Sequence, residues 1–120
     1  MHLVLDGATA TPLSSHRIKR FLRHFPRYIG MKRITEPVVV STEGGLCGIV
    51  VIAASHISVH TQGNRVWVDC FSCVGLDVEP TVRGVVQLLC LTQYRFQTVA
   101  RVMPPARPAL ASWTAAGALP

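Results

Sequence analysis

The chain has 120 residues, of which 49% are hydrophobic and only 15% charged, so it is long enough for one domain with a small core. It contains no apolar run of the roughly 18 residues that a membrane span needs, and no signal peptide is recognisable, so we expect a cytoplasmic protein without a membrane partner. Its net charge of +6 comes with few aromatic residues and no recognition motif, which argues against a nucleic-acid partner. In that compartment the cysteines are predicted to be free thiols: Cys47, Cys70, Cys73 and Cys90.

Turn residues and hydrophobic spacing predict the first five elements of the chain. The strands among them are predicted over residues 2–6, 38–40, 46–54 and 56–61. Between the first two strands, apolar residues at helical spacing predict an amphipathic helix that is capped by Ser14 or Ser15 and ends near Tyr28. The strand over residues 46–54 is apolar on both faces, which predicts that it is deeply buried.

The second half of the chain continues the same pattern. A fifth strand is predicted over residues 65–73, after a tight turn at residues 62–64. Pro80 favours the first turn of a second helix, which is predicted to end near Tyr94, and residues 99–102 are predicted to form an edge strand.

The order of these elements predicts an α+β two-layer sandwich, in which an antiparallel sheet carries helices on one face. The predicted domain covers residues 1–103, and the Ala/Pro-rich residues 104–120 are predicted to be a disordered or loosely docked tail. Strands that are apolar on both faces also need a cover on the side away from the helices. The high apolar content therefore predicts contact with a partner subunit.

Three residues of chemically useful types lie within nineteen positions. Ser55 ends the apolar run, His60 follows it by five residues, and Cys73 ends the next predicted strand. These are nucleophile, base and acid types. Ser55 and His60 have opposite parity in a straight strand, so a bend or bulge would be needed to bring them together.

This ordering resembles the bacterial S-adenosylmethionine decarboxylases, which cleave themselves and convert a serine into a pyruvoyl group. The family pattern reads roughly Ser-Gly-(apolar run)-Glu-Ser-His-x-Ser-x-His-Thr-Trp-Pro-Glu, then Val-Asp-x-Phe-Thr-Cys-Gly. The matching residues in this chain are Gly48, Ser55, His56, Ser58, His60, Thr61, Val68, Asp69, Phe71 and Cys73.

The resemblance implies a self-processing, pyruvoyl-dependent decarboxylase of polyamine biosynthesis that converts S-adenosylmethionine to its decarboxylated form and CO2. Ser55 would attack the carbonyl of Ala54, and an elimination from the resulting ester would leave a pyruvoyl group that forms a Schiff base with the substrate. His60 matches the processing base and Cys73 the proton donor. The resemblance implies no metal, and it implies a homodimer in which two sheets stack as four αββα layers.

Further positions are assigned by the same resemblance to supporting or substrate-binding roles. Asp6 falls at an acidic position of a similar first strand, and Cys47 stands where the family has a serine or threonine that assists processing. Ser58 and Asp69 belong to the matched motifs.

The sequence departs from the family pattern in four respects. Ala54 replaces the glutamate before the cleaved bond, and Cys47 replaces the hydroxyl residue. A Gln62–Asn64 turn replaces Trp-Pro-Glu, and Ser41 aligns with the aromatic that stacks on adenine. Because the last two changes remove nucleoside contacts, L-arginine or L-ornithine decarboxylation by the same chemistry is an alternative.

Two other classes of function stay open at this stage. The altered processing positions leave room for a homologue that no longer cleaves itself and acts as a binding or regulatory subunit. A structural zinc module is suggested by the spacing of four ligand types: His56, His60, Cys70 and Cys73. Strand parity argues against zinc, since Cys70 and Cys73 point to opposite faces unless the strand ends between them.

Overall fold

The computed structural model describes residues 1–53 and 55–101, which fold into six strands and two helices. In chain order these are β1 (His2–Thr9), α1 (Ser15–Tyr28), β2 (Val38–Thr42), β3 (Gly45–Ile52), β4 (Ser55–Gln62), β5 (Arg65–Ser72), α2 (Val78–Leu88) and β6 (Leu91–Val99). All paired strands are antiparallel, and they form one sheet in the order β2-β3-β4-β5-β1-β6. The predicted α+β architecture is confirmed.

Helix α1 begins at the predicted cap. The Ser14 hydroxyl accepts a hydrogen bond of 3.1 Å from the Arg17 N–H, which satisfies one of the free donors of the first turn. The apolar side of the helix is buried against the sheet and consists of Ile18, Phe21, Leu22 and Phe25. The helix approaches β3 so closely at Gly48 that a Cβ atom there would lie 2.8 Å from Leu22 Cδ1. Glycine at this matched position lets the helix pack this closely, and a larger residue would make the Leu22 side chain shift.

Both helices cover the same face of the sheet, here called the inner face, and they contact each other. The buried side chains of this face alternate along the strands and form most of the core: Leu3, Leu5, Val50, Ile52, Ile57, Val59, Val66, Val68 and Cys70. Residues of opposite parity point away from the helices and form the outer face. No helix in the described part of the chain is long and apolar enough to cross a membrane.

The end of the second helix was predicted incorrectly. Helix α2 ends at Leu88, and Tyr94 belongs to strand β6. The chain reverses at Cys90, which adopts a positive φ of 55° without the glycine that usually marks such a position. Strand β6 is an edge strand as expected, but the predicted range of 99–102 is wrong: the strand spans Leu91–Val99, and of the described residues in that range it includes Val99 alone.

The prediction that residues 46–54 are deeply buried is also wrong for this single chain. Strand β3 alternates, with Val50 and Ile52 in the core, whereas Ile49 and Val51 are 44% and 42% exposed. The outer face of the strand is thus apolar and open. The predicted tail of residues 104–120 lies outside the described residues, so its disorder and the domain boundary stay predictions.

Candidate active site

Ser55 lies at one end of the sheet, on the inner face. It is the first residue of β4 and is paired with Ile52 of β3 and Ser72 of β5. Its side chain is largely buried, and its hydroxyl oxygen accepts a hydrogen bond of 3.3 Å from the backbone N–H of Cys73. The exposed thiol of Cys73 belongs to the residue that follows β5. The predicted nucleophile and the predicted proton donor are therefore neighbours.

His60 lies on the outer face, in a continuous row of paired residues that crosses five strands. The row consists of Cys47, His60, Trp67, Asp6 and Arg95. The rings of His60 and Trp67 have their centroids 5.5 Å apart, and Arg95 Nε lies 3.4 Å from the Asp6 carboxylate. A shallow hollow of about 360 Å³ opens beside this row. The fold thus brings together the two residues assigned to assist processing, Cys47 and His60.

Ser58 and Asp69 form the centre of the next row on the outer face. They are paired across β4 and β5, and Asp69 lies diagonal to His60 in the ladder, so side chains at the two positions are within about 8 Å. Among the described residues, Asp69 makes no salt bridge. Four of the predicted supporting residues and the predicted base therefore share one face of the sheet.

The structure does not bring Ser55 and His60 together. The pairing of β4 with both of its neighbours is regular from Ser55 to Gln62, without the bend or bulge that contact would need. Five residues of extended chain separate the two by about 16 Å, and their side chains point to opposite faces. Within one chain, His60 is out of reach of the predicted cleavage site.

The four cysteines are free thiols, as predicted, and they occupy different environments. Cys70 is fully buried on the inner face, and burial raises the pKa of its thiol from the ordinary 9.0 to about 11.

His56 and His60, two of the four residues in the zinc hypothesis, lie on the outer face of the sheet. Among residues 1–53 and 55–101, no group of three or more His, Cys, Asp or Glu side chains is arranged to hold a metal ion. This part of the chain therefore contains no cluster of ligands that would support the zinc hypothesis.

The two positions that depart from the nucleoside-binding pattern lie far from Ser55 in the same chain. The Gln62–Asn64 turn is at the opposite end of β4. Ser41 is paired with Leu46, whose side chain packs against the core, so Ser41 lies on the inner face of edge strand β2. A side chain at position 41 therefore points away from the outer row that contains His60.

Sequence reasoning did not single out Ser72, Trp67 or Arg95. Ser72 is fully buried opposite Ser55, and its hydroxyl accepts a hydrogen bond of 3.2 Å from the Val74 N–H. Ser72 could have been found from the sequence. The family pattern has a threonine directly before the cysteine, and Ser72 keeps its hydroxyl group at that position. Arg95 could not be found in this way, because its contact with Asp6 depends on a strand order that joins the two ends of the chain.

Comparisons with known proteins agree with this architecture. The family model described as S-adenosylmethionine decarboxylase matches residues 1–102. The crystal structure of the adenosylmethionine decarboxylase from Aquifex aeolicus VF5 is similar, with a TM-score of 0.66 over 88% of this chain and 92% of that chain. The two sequences are 21% identical, so this likeness shows the fold alone. No curated protein matches the sequence.

Proposed function

Because the chain belongs to the S-adenosylmethionine decarboxylase family, we propose that it is a self-processing, pyruvoyl-dependent decarboxylase of polyamine biosynthesis that acts on S-adenosylmethionine. The observation that supports this most is the contact between the Cys73 N–H and the Ser55 hydroxyl at the end of the sheet. In this contact the backbone of the candidate acid, Cys73, meets the hydroxyl of the candidate nucleophile, Ser55, which starts strand β4. A cofactor made from Ser55 would occupy the same strand end.

Processing requires a nucleophile and a base. In our proposal the Ser55 hydroxyl attacks the carbonyl of the preceding residue, and the peptide bond becomes an ester. His60 then removes the Cα proton of residue 55 as a general base, the role in proton transfer that histidine side chains fill most often in enzymes. Cleavage separates residues 1–54 from a fragment that begins with the group derived from Ser55.

Ser55, whose hydroxyl the Cys73 N–H contacts, is the residue that would become a pyruvoyl group in place. Once formed, that group would supply an electron-withdrawing carbonyl that takes up the electrons released as CO2 leaves the substrate. Cys73 would return a proton to the substrate carbon, since its thiol is exposed and its backbone N–H contacts the Ser55 hydroxyl. Asp6, Asp69 and Ser58 share the outer face with His60, so their polar contacts would be with a substrate bound between two protomers.

We further propose that two copies of the chain stack through their outer faces, giving four αββα layers. The β2–β3 end of this face is apolar and open, with four side chains 42–57% exposed: Val38, Val40, Ile49 and Val51. Contiguous exposed apolar side chains of this kind favour a subunit interface. The polar rows that contain His60 and Asp69 would lie inside the same interface.

The stacked dimer offers a way to bring His60 to a cleavage site. Because His60 faces the interface and lies about 16 Å from its own Ser55, it would have to act on the Cα proton of Ser55 of the partner subunit, at the end of the strand, since the Ser55 hydroxyl points to the inner face. The active site would then be shared, with the nucleophile from one protomer and the base from the other.

The proposed function is tested by CO2 release from carboxyl-labelled S-adenosylmethionine, with the Ser55→Ala variant as the matched control. We expect release by the cleaved wild-type protein and none by the variant. Cleaved protein that releases no CO2 from this substrate would contradict the proposed reaction.

A further inference from the structure

Two neighbouring hydroxyl groups at the end of the sheet hold successive N–H groups of the segment that follows β5. Ser55 Oγ accepts from the Cys73 N–H at 3.3 Å, and Ser72 Oγ accepts from the Val74 N–H at 3.2 Å. The two serines are directly paired across β4 and β5, and both side chains point to the inner face. The turn after β5 is therefore fixed by one hydroxyl from each strand.

We propose that the backbone N–H of Cys73 assists the departure of Ser55 Oγ during processing, and that Ser72 positions this N–H. The inference rests on the proposed self-processing and adds to it a group that stabilises the leaving oxygen. It separates two functions of residue 73. The N–H acts in cleavage, and the thiol acts in turnover.

The elimination step explains why a donor at this oxygen matters. In the ester, Oγ joins Cβ of residue 55 to the carbonyl carbon of residue 54. When the base takes the Cα proton, the electron pair of the Cα–H bond forms a Cα=Cβ double bond and the Cβ–Oγ bond breaks. Oγ leaves with that bonding pair as one of the two oxygens of a new carboxylate, and water later replaces the nitrogen, which departs as ammonia. Negative charge thus grows on the oxygen that the Cys73 N–H contacts, and such a donor favours the step.

Ser72 is suited to the positioning role because its own location is fixed by burial and by a backbone hydrogen bond. Its side chain is fully buried, and its own N–H donates to the Met1 carbonyl at 2.9 Å. The Ser72 hydroxyl therefore has a fixed location from which it holds Val74, and Cys73 lies between the two. After processing Ser55 Oγ is gone, so the Ser72–Val74 bond becomes the remaining side-chain anchor of the turn.

The test uses four variants of the full chain: Ser72→Ala, Ser72→Thr, Cys73→Ala and Cys73→Pro. Processing is followed by gel over time, with and without hydroxylamine, which cleaves the ester and so measures how much of it has accumulated. We expect Ser72→Ala to process about tenfold more slowly and Cys73→Pro, which lacks the N–H, about 100-fold more slowly, both with accumulated ester. Ser72→Thr, which keeps the hydroxyl, should restore most of the rate lost in Ser72→Ala, and Cys73→Ala, which keeps the N–H, should process much faster than Cys73→Pro.

The ester itself reports on folding, because only a folded site makes the acyl shift. Wild-type rates for both Ser72→Ala and Cys73→Pro would overturn the inference. Slow processing of Ser72→Ala without accumulated ester would also overturn it, since the defect would then precede elimination. Failure of the wild-type chain to cleave at all would instead contradict the proposed function.

Discussion

Ser55 and His60 lie on opposite faces of strand β4, although only five residues separate them. The ladder on both sides of the strand is regular, so no local distortion brings the two side chains together. The inner-face serine is in contact with Cys73, whereas the outer-face histidine is paired with Cys47. If the outer faces of two protomers stack, as proposed, His60 lies at the interface and would act on the Cα proton of Ser55 of the partner subunit, at the strand end, since the Ser55 hydroxyl points to the inner face.

The proposed sharing of the site between two protomers predicts complementation between two inactive variants. Ser55→Ala retains His60 but lacks the nucleophile, and His60→Ala retains Ser55 but lacks the base. Each alone should stay uncleaved, while differently tagged copies produced together should cleave the His60→Ala chain. We expect up to half of that chain to be processed if dimers form at random, as read on a denaturing gel. Cleavage of purified His60→Ala by itself, or none in the mixture, would contradict a base supplied by the partner subunit.

Much of the fold could be predicted from the sequence, because alternation and helical spacing record which side chains are buried. The two-residue turn at Gly63 and Asn64 even fixes the pairing of Ser55 with Ser72, by counting back along both strands. The place of β1 between β5 and β6 could not be predicted locally, since it depends on contacts between the two ends of the chain. The end of α2 was missed because the apolar spacing continues through Leu89, while the reversal occurs at a cysteine.

The thiol of Cys73 is predicted to be needed for turnover but not for cleavage. Cys73→Ala keeps the backbone N–H at Ser55, so the chain should process normally. Its CO2 release should fall by about 100-fold or more, the usual contribution of a general acid. Cys90→Ala is the matched control, because Cys90 is an exposed thiol in the turn between α2 and β6. Equal turnover by the two variants would remove Cys73 from the proton-donor role.

The missing nucleoside contacts predict weak substrate discrimination. Base–aromatic stacking is worth about 1–3 kcal/mol in nucleic-acid binders, and neither Ser41 nor the Gln62–Asn64 turn supplies an aromatic ring. We expect S-adenosylmethionine to be decarboxylated with a kcat/KM no more than about tenfold above that for L-arginine or L-ornithine, measured side by side by CO2 release. If the protein decarboxylates a basic amino acid but not S-adenosylmethionine, the alternative substrate is established. A preference of a thousandfold or more for S-adenosylmethionine would contradict the prediction and show that other residues replace the lost contacts.

The buried thiol of Cys70 predicts a loss of stability in alkaline solution. Burial raises the pKa of this thiol to about 11 from an ordinary value of 9.0, so between these values the unfolded chain releases a proton that the folded chain keeps. The contribution of the protonated Cys70 thiol to the free energy of unfolding is fully present below pH 9. It is lost as the pH rises through 11, at up to about 1.4 kcal/mol per pH unit. Urea unfolding at pH 8.5 to 10.5 should show a smaller decline for Cys70→Ala than for Cys90→Ala. Parallel declines in the two variants would contradict this assignment.

The intact mass of the purified wild-type protein tests the central proposal, self-processing at Ser55, most directly. The account predicts two fragments, residues 1–54 ending in a free carboxylate and residues 55–120 beginning with a pyruvoyl group, and a single uncleaved chain for Ser55→Ala. One unbroken wild-type chain with an ordinary serine at position 55, unchanged after prolonged incubation, would contradict the proposal and favour a non-processing homologue.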